Sequence, residues 1–217
     1  MNRPWDDLPT ITDPAQLSAY GVPIPSVRDK VLDELSGVHL DWIAASPLVF
    51  VATSSADGRC DVSPKGDPAG AVLVLDPHTL VLPERNGNRR MDGFRNILAN
   101  PHVGLLFVIP GRNETMRVNG EARIVTDGPF FDDLVVRGSR PELALLLHVE
   151  EVFFHCPKAF MRSKAWQPEH WTPEVMMPYA EIAKRLWRKD DPPDEVDAYY
   201  ASDAYERALY PETTPST

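Results

Sequence analysis

The chain has 217 residues, of which 43% are hydrophobic and 25% are charged, a composition typical of globular proteins rather than disordered or fibrous ones. The length suits one core with appendages better than two full domains. The formal net charge of −10 repels phosphate backbones and therefore disfavours nucleic-acid binding.

The N-terminal segment is rich in proline and aspartate. Its prolines exclude a long helix, so we expect an extended arm over residues 1–25. The segment lacks the apolar run of a signal peptide, and no stretch of the chain reaches membrane-spanning length. The two cysteines, Cys60 and Cys156, are too few for a disulfide scaffold. Together these features predict a cytoplasmic protein without a membrane partner.

A short helix is predicted directly after the arm. Ser26 is a residue type typical of a helix N-cap, and Asp29 would fall in the first turn. Four apolar residues at helical spacing then follow along one face: Val27, Val31, Leu32 and Leu35. We expect this amphipathic helix to open a domain that covers residues 26–172.

From Leu48 onward the pattern becomes that of a β-meander, with β-branched and aromatic runs separated by turn residues. The predicted strands cover 48–53, 60–63, 71–75, 79–82, 103–109, 115–125 and 144–154, with helical segments over 92–100 and 130–136. Counting periods gives about six or seven strands. Tight turns between strands favour an antiparallel barrel over a doubly wound parallel sheet. Residues 173–217 form an acidic C-terminal extension with helices predicted over 179–187 and 195–209.

The segment from Glu84 to Asp92 is polar and rich in cations, and it lies between a predicted strand and a predicted helix. Free N–H groups at a helix start, together with Arg89 and Arg90, would bind a phosphate monoester through charge-assisted hydrogen bonds. A solvated turn whose arginines balance nearby acids fits the same residues. This loop by itself leaves both interpretations open.

A second segment, from Asp61 to Gly70, contains Gly66 and Gly70, which allow a ligand to approach the backbone closely. A flat heteroaromatic ring could take hydrogen bonds from the main chain here, and Lys65 could stabilise negative charge on that ring. The alternative is an ordinary loop with a surface lysine.

In the predicted strand 115–125, alternation places Arg117 and Asn119 on one face. If that face borders a cavity or a dimer interface, Arg117 needs an anionic partner, because burying an unpaired charge is costly. If the face meets solvent, no function follows from the pair.

Other chemistries find no support in the sequence. The chain contains no Walker-type loop, no G-x-G-x-x-G fingerprint and no G-x-S-x-G elbow. His155 and Cys156 are adjacent, and neighbours on a strand point to opposite faces, which makes them a poor metal pair. We therefore predict no metal site and assign no catalytic acid, base or nucleophile.

Taken in order, Ser-Pro-Lys-Gly-Asp, Asn-Gly-Asn-Arg-Arg, Asn-Ile-Leu-Ala-Asn-Pro and Arg-Val-Asn-Gly resemble the pyridoxamine 5′-phosphate oxidase-like family of FMN-binding proteins. The resemblance runs from about Leu48 to Trp166 and is strongest to a bacterial branch of uncharacterised FMN-dependent enzymes. It implies a mainly β fold, a six-stranded antiparallel split β-barrel with peripheral helices. It also implies a homodimer with two FMN molecules at the subunit interface.

The resemblance further implies sixteen cofactor-binding positions. Those beside the isoalloxazine ring are Asp61, Val62, Ser63, Pro64, Lys65 and Gly66, with Leu82 and Pro83 on the neighbouring strand end. Those of the phosphate loop are Asn86, Asn88, Arg89 and Arg90. Arg117 would reach the flavin from the partner subunit, and Lys158, Arg162 and Trp166 lie in the segment that closes the site.

The chain departs from the family at its C-terminus. Pyridoxamine phosphate oxidases end in an arginine- and tryptophan-bearing stretch that grips the substrate, whereas this chain ends in an acidic helical extension. The resemblance therefore implies an FMN-dependent oxidoreductase of an unidentified small molecule, not vitamin B6 oxidation. Alternatives within the wider family are a deazaflavin-dependent reductase and a non-catalytic flavin- or haem-binding protein. Another alternative is a scaffold whose acidic extension recruits a protein partner.

Overall fold

The computed structural model describes residues 5–210. The first four residues of the predicted arm and the last seven of the predicted C-terminal extension lie outside the described residues. The chain divides into two compact units, one up to Val31 and the other from Leu32 onward.

The second unit is built on one antiparallel sheet, which has seven strands within residues 5–210. The strands are β1 Leu48–Ser54, β2 Cys60–Gly66, β3 Leu73–Asp76, β4 Thr79–Pro83, β5 His102–Val108, β6 Thr115–Val125 and β7 Ala144–His155. Their order is β2-β1-β5-β6-β7-β4-β3. This sheet with its peripheral helices confirms the predicted mainly β fold of split-barrel type. It contains one strand more than the six that the resemblance implied, because the short β3 pairs at the outer edge of β4.

The sheet curls strongly, and side-chain contacts between its distant strands show this. β2 and β4 are separated by four other strands in the sheet order, yet Lys65 at the end of β2 forms an ion pair with Glu84 directly after β4. A flat sheet with strands about 4.8 Å apart could not bring these ends together. The curled sheet therefore encloses its own core, as expected of a split barrel.

The core lies on the inner face of this curled sheet. Alternate residues of β1, β5, β6 and β7 are buried there, among them Val51, Leu105, Val118 and Leu147. Helix α3, Asp92–Ala99, packs against β1, β2 and β6. Its buried Phe94 and Ile97 belong to the same core cluster. This packing places the start of α3, and the loop before it, beside β2.

The remaining helices are α1 Pro25–Arg28, α2 Gly37–Ala45, α4 Lys158–Ser163, α5 Tyr179–Leu186, α6 Pro193–Tyr199 and α7 Ser202–Ala208. The predicted helix over 92–100 is confirmed and ends before Asn100, since a residue that precedes proline favours extended backbone. The predicted C-terminal helices are confirmed, although the second is broken into α6 and α7. Of the predicted helical segment 130–136, only a 3₁₀ turn over Asp132–Leu134 is present.

The two predictions for the N-terminal region are partly wrong. The arm contains a 3₁₀ helix, Pro14–Tyr20, because Pro14 occupies the first helical position, where proline is tolerated, and Asp13 caps its start. The helix predicted from Ser26 is a single turn that starts at Pro25 and ends at Arg28. Leu32 instead forms an antiparallel bridge with Val152 of β7, which requires extended backbone.

Helix α2 was not predicted, because apolar residues lie on all its sides and mask the helical period. Its buried His39 accepts a hydrogen bond from the backbone N–H of Ser36, with 3.0 Å between Ser36 N and His39 Nδ1. The imidazole also stacks on Phe154, with 5.5 Å between ring centroids. Burial lowers the pKa of His39 below 6.5, so folding favours the neutral form of this side chain.

We expect the stability of the protein to fall as the pH drops below about 6.5, and His39 to cause part of this loss. In that range the unfolded chain binds a proton at His39 more readily than the folded chain does, which favours unfolding. His39→Gln preserves an acceptor for the Ser36 N–H but cannot titrate. Urea unfolding between pH 5 and pH 7.5 should therefore give a shallower pH dependence for the variant. Equal slopes for the two proteins would contradict this assignment.

Both cysteines are free and exposed within residues 5–210, as expected from their number and spacing. In the same range, no helix combines the length and apolar character needed to cross a bilayer.

Candidate functional site

A cavity of about 430 Å³ lies where the ends of β2 and β4 meet the start of α3. This volume is within the range of roughly 300–1,000 Å³ that small-molecule sites occupy. Twelve of the sixteen predicted positions line the cavity: Asp61, Val62, Ser63, Pro64, Lys65, Gly66, Leu82, Pro83, Asn86, Asn88, Arg89 and Arg90. Strand β2, the end of β4 and the loop before α3 therefore form one concave surface.

Strand β2 forms one wall of the cavity. Asp61, Ser63 and Lys65 are half-buried and alternate with exposed neighbours. They pair with Thr53, Val51 and Val49 of β1, which are all buried, so the two sets share the inner face of the sheet. β2 is also an edge strand, so one side of its backbone is left for other partners.

Two ion pairs join the end of β2 to the segment after β4. Lys65 contacts Glu84 and also lies 5.6 Å from the centroid of the Phe94 ring. Asp67 Oδ2 lies 2.5 Å from Arg85 Nε, and these two side chains are only 11% and 13% exposed. Because both pairs are largely shielded from water, they fix the spacing of the two walls more firmly than surface pairs would. Sequence reasoning missed both pairs, although all four residues lie in or beside the segments it selected.

Arg85 is held on its other side by main-chain oxygens. Its Nη2 donates to the carbonyl of Leu134 at 2.8 Å, and its Nη1 donates to the carbonyl of Ser139 at 3.4 Å. These contacts and the Asp67 pair engage all three nitrogens of the guanidinium, so the expected role of Arg85 is to support the loop rather than to bind a ligand.

The loop that carries the predicted phosphate ligands has unusual backbone geometry. Arg89 and Met91 adopt left-handed conformations, with φ of 54° and 58°, which cost non-glycine residues about 1–3 kcal/mol each. The Asn88 side chain accepts a hydrogen bond from the backbone N–H of Arg90, with 3.1 Å between Asn88 Oδ1 and Arg90 N. This bond helps to hold the strained turn that leads into α3. Strain of this kind occurs preferentially at binding sites.

The arginines of this loop differ in their availability. Arg90 Nε lies 2.6 Å from Asp92 Oδ2, and the Arg90 side chain is 73% exposed. Arg89 is exposed and, within residues 5–210, forms no ion pair. Met91 stands at the N-cap of α3 without a side-chain hydrogen bond to the helix, so the first N–H groups of α3 lack such a cap. The loop thus offers one uncommitted cation and an uncapped helix start to an anion.

The other four predicted positions lie outside the lining of this cavity. Arg117 on β6 places its guanidinium 4.3 Å from the centroid of the Phe153 ring, and its Nε is buried without a hydrogen-bond partner among residues 5–210. Lys158 and Arg162 are exposed on or beside α4. Trp166 stacks on Phe160, with 5.4 Å between ring centroids, and donates from Nε1 to the carbonyl of Arg112 at 2.7 Å. Their predicted roles at the cofactor remain predictions.

A separate group of possible metal ligands lies on the sheet surface. His102, Glu121 and Glu150 on β5, β6 and β7 place ligand atoms within 4.8 Å of one another. Their side chains are 62%, 51% and 45% exposed, and the His102 nitrogens lie 3.8 and 3.9 Å from carboxylate oxygens. These are the spacings of solvated surface ion pairs.

A family model described as Pyridoxamine 5′-phosphate oxidase matches residues 35–156, more than half of the 217-residue chain. No curated protein matches the chain.

Several solved structures are similar to it. HupZ of Group A Streptococcus is 26% identical, with 55% of this chain and 93% of that chain covered and a TM-score of 0.45. A Lactobacillus delbrueckii protein provisionally classed as a pyridoxamine 5′-phosphate oxidase is 27% identical, with coverages of 56% and 95% and a TM-score of 0.44. HutZ, the haem storage protein of Vibrio cholerae, is 15% identical, with coverages of 55% and 93% and a TM-score of 0.38.

Proposed function

The chain belongs to the pyridoxamine 5′-phosphate oxidase family, and on this premise we propose that it is an FMN-dependent oxidoreductase acting on an unidentified small molecule. The proposal places FMN in the cavity between β2, the end of β4 and the loop before α3. Bound FMN would supply the redox chemistry, because its ring accepts or donates a hydride. The residues of the chain would bind, orient and shield it.

The observation that carries this proposal is the state of Arg89. In a chain of net charge −10, an arginine that borders a cavity, sits in left-handed backbone and has no ion pair within residues 5–210 is poised for an anionic ligand. The uncapped start of α3 beside it adds N–H donors and the positive end of a helix dipole. A phosphate monoester satisfies both groups.

The ring end of the cofactor fits the β2 wall. The free edge of β2 offers main-chain groups of Asp61–Pro64 to the hydrogen-bonding atoms of a flat heterocycle. Apolar contact comes from Leu82 and Pro83, which are buried at the end of β4. Lys65 would lie beside the ring, but its pairing with Glu84 weakens its positive potential there. The chief contribution expected of β2 is therefore to orient the ring through main-chain hydrogen bonds. Lys65 is a secondary source of positive charge.

Dimerisation would complete the site. Arg117 is half-buried and, within residues 5–210, forms no ion pair, so the terminal nitrogens of its guanidinium can meet an acceptor that the cofactor or another subunit supplies. We propose that a second subunit brings Arg117 and the segment with Lys158, Arg162 and Trp166 to the flavin. The acceptor for Arg117 would then be the cofactor or a residue of the partner.

We expect protein purified without added cofactor to carry FMN and to elute as a dimer. Size-exclusion chromatography with in-line absorbance and light scattering should give the two-banded spectrum of an oxidised flavin in a peak of about twice 24.3 kDa. Mass spectrometry of the released ligand separates FMN from deazaflavin and haem. A colourless monomer that fails to take up added FMN would refute the proposal.

The same holoprotein tests the enzymatic part of the proposal. Catalytic oxidation of NADH or NADPH with a defined electron acceptor supports an oxidoreductase. A flavin that dithionite reduces but that supports no turnover with either nucleotide would favour a binding protein.

A further inference from the structure

The C-terminal extension contacts both segments that form the cavity walls. Tyr210, two residues after the end of α7, donates a hydrogen bond from Oη to Asp67 Oδ1 at 2.5 Å. The other oxygen of the same carboxylate, Oδ2, lies 2.5 Å from Arg85 Nε. Asp67 therefore bridges the phenol of the C-terminal extension and the arginine that supports the loop.

Two further contacts place the end of the chain against this loop. Asn86 Nδ2 donates to the backbone carbonyl of Ala208 at 3.3 Å. The Tyr210 ring lies near two guanidinium groups, with its centroid 5.2 Å from Arg137 and 6.0 Å from Arg85. The phenol is thus positioned by its ring as well as by its hydroxyl, as expected for cation–π contacts.

The protonation state of Tyr210 suits a hydrogen-bond donor to Asp67. Burial, followed by the hydrogen bond to Asp67, raises the pKa of Tyr210. The hydroxyl consequently remains a hydrogen-bond donor throughout the physiological pH range. It satisfies Asp67 Oδ1, while Asp67 Oδ2 contacts Arg85. Loss of this bond would leave a largely buried carboxylate oxygen unsatisfied.

We propose that Tyr210 is a positioning residue for the phosphate-binding loop, acting through Asp67 and Arg85. This inference rests on the proposed function, since it assumes that the loop binds the phosphate of FMN. Removing the hydroxyl frees Asp67 and Arg85 to move and so alters the loop at residues 86–90, whereas the ring-binding face of β2 stays in place. The effect should therefore be specific for ligands that carry the phosphate.

The test compares FMN with riboflavin, which has the same ring and lacks the phosphate. Tyr210→Phe removes only the hydroxyl and keeps the ring beside the two arginines. Titration of the full-length, flavin-free protein by flavin fluorescence should show roughly tenfold weaker FMN binding for the variant, the effect of one hydrogen bond to a charged group. Riboflavin affinity should not change. Tyr205→Phe, on α7 and among other aromatic rings, is the matched control and should bind both ligands as the parent does.

A second variant distinguishes positioning from general destabilisation. Asp67→Asn interrupts the same route, so Tyr210→Phe combined with Asp67→Asn should lose little more FMN affinity than Asp67→Asn does. Equal weakening of FMN and riboflavin in Tyr210→Phe, or unchanged binding of both, would overturn the inference. If the parent protein binds neither flavin, the proposed function itself fails, which is a distinguishable result.

Discussion

Replacing both Arg89 and Arg90 by alanine should weaken FMN binding by at least about 100-fold. A hydrogen bond to a charged group is worth about 1.5–3 kcal/mol, and each 1.4 kcal/mol changes the dissociation constant tenfold. Arg89 should contribute more than Arg90, because Arg90 must give up its contact with Asp92 at 2.6 Å before it can bind phosphate. Equilibrium titration with FMN measures both effects.

The control for this double variant removes the same two positive charges elsewhere. Arg59 at the β1–β2 hairpin and Arg185 on α5 are exposed and do not line the cavity. Arg59→Ala with Arg185→Ala should therefore retain FMN. Full retention of FMN by the Arg89 and Arg90 double variant would refute the assignment of this loop to the phosphate.

The second large effect is expected from Gly120→Ala, which should destabilise the fold by about 3 kcal/mol or more. A Cβ at position 120 would lie 1.9 Å from the carbonyl oxygen of His148 and 2.9 Å from its carbonyl carbon. Both atoms are backbone of β7, and the β6–β7 register shifts at this point, between Asn119 and Gly120. Removing this overlap requires β6 and β7, the longest strand pair of the sheet, to move. We therefore expect a loss of stability at the upper end of the roughly 1–3 kcal/mol typical of overpacking, or more.

Urea unfolding followed by circular dichroism tests this expectation. Gly37→Ala is the matched control, because a Cβ there has no neighbour within 4 Å and the residue opens helix α2. That variant should be neutral or stabilised by up to about 1 kcal/mol. A Gly120→Ala protein with the urea midpoint of the parent would contradict the close approach of β6 and β7.

Much of the sheet could be predicted from the sequence because its signals are local. The alternation in β6 and the β-branched and aromatic run of β1 each report the environment of one strand. Turn residues between strands, such as Asp57 and Gly58, mark where the chain reverses. The loop from Glu84 to Asp92 was recognisable for the same reason, since its charges and the start of α3 are contiguous.

Elements whose signals were mixed could not be predicted. Helix α2 carries apolar residues on all sides, so neither a helical nor a strand period is visible. The extended backbone at Leu32 depends on its bridge with Val152, which lies on a strand more than 100 residues later in the sequence. A periodicity that is correct for a helix was overridden there by this long-range pairing.

By itself, the sequence determined the antiparallel strand pattern, the family and the two segments that line the cavity, because these depend on the order of residues along short stretches. Only the tertiary structure decided which cations are already paired and which remain available. Lys65 meets Glu84 because the sheet curls, and Asp67 receives a hydrogen bond from Tyr210, 143 residues away. Such contacts arise when segments distant in the sheet order or in the sequence converge, and no local pattern of residue types encodes that convergence.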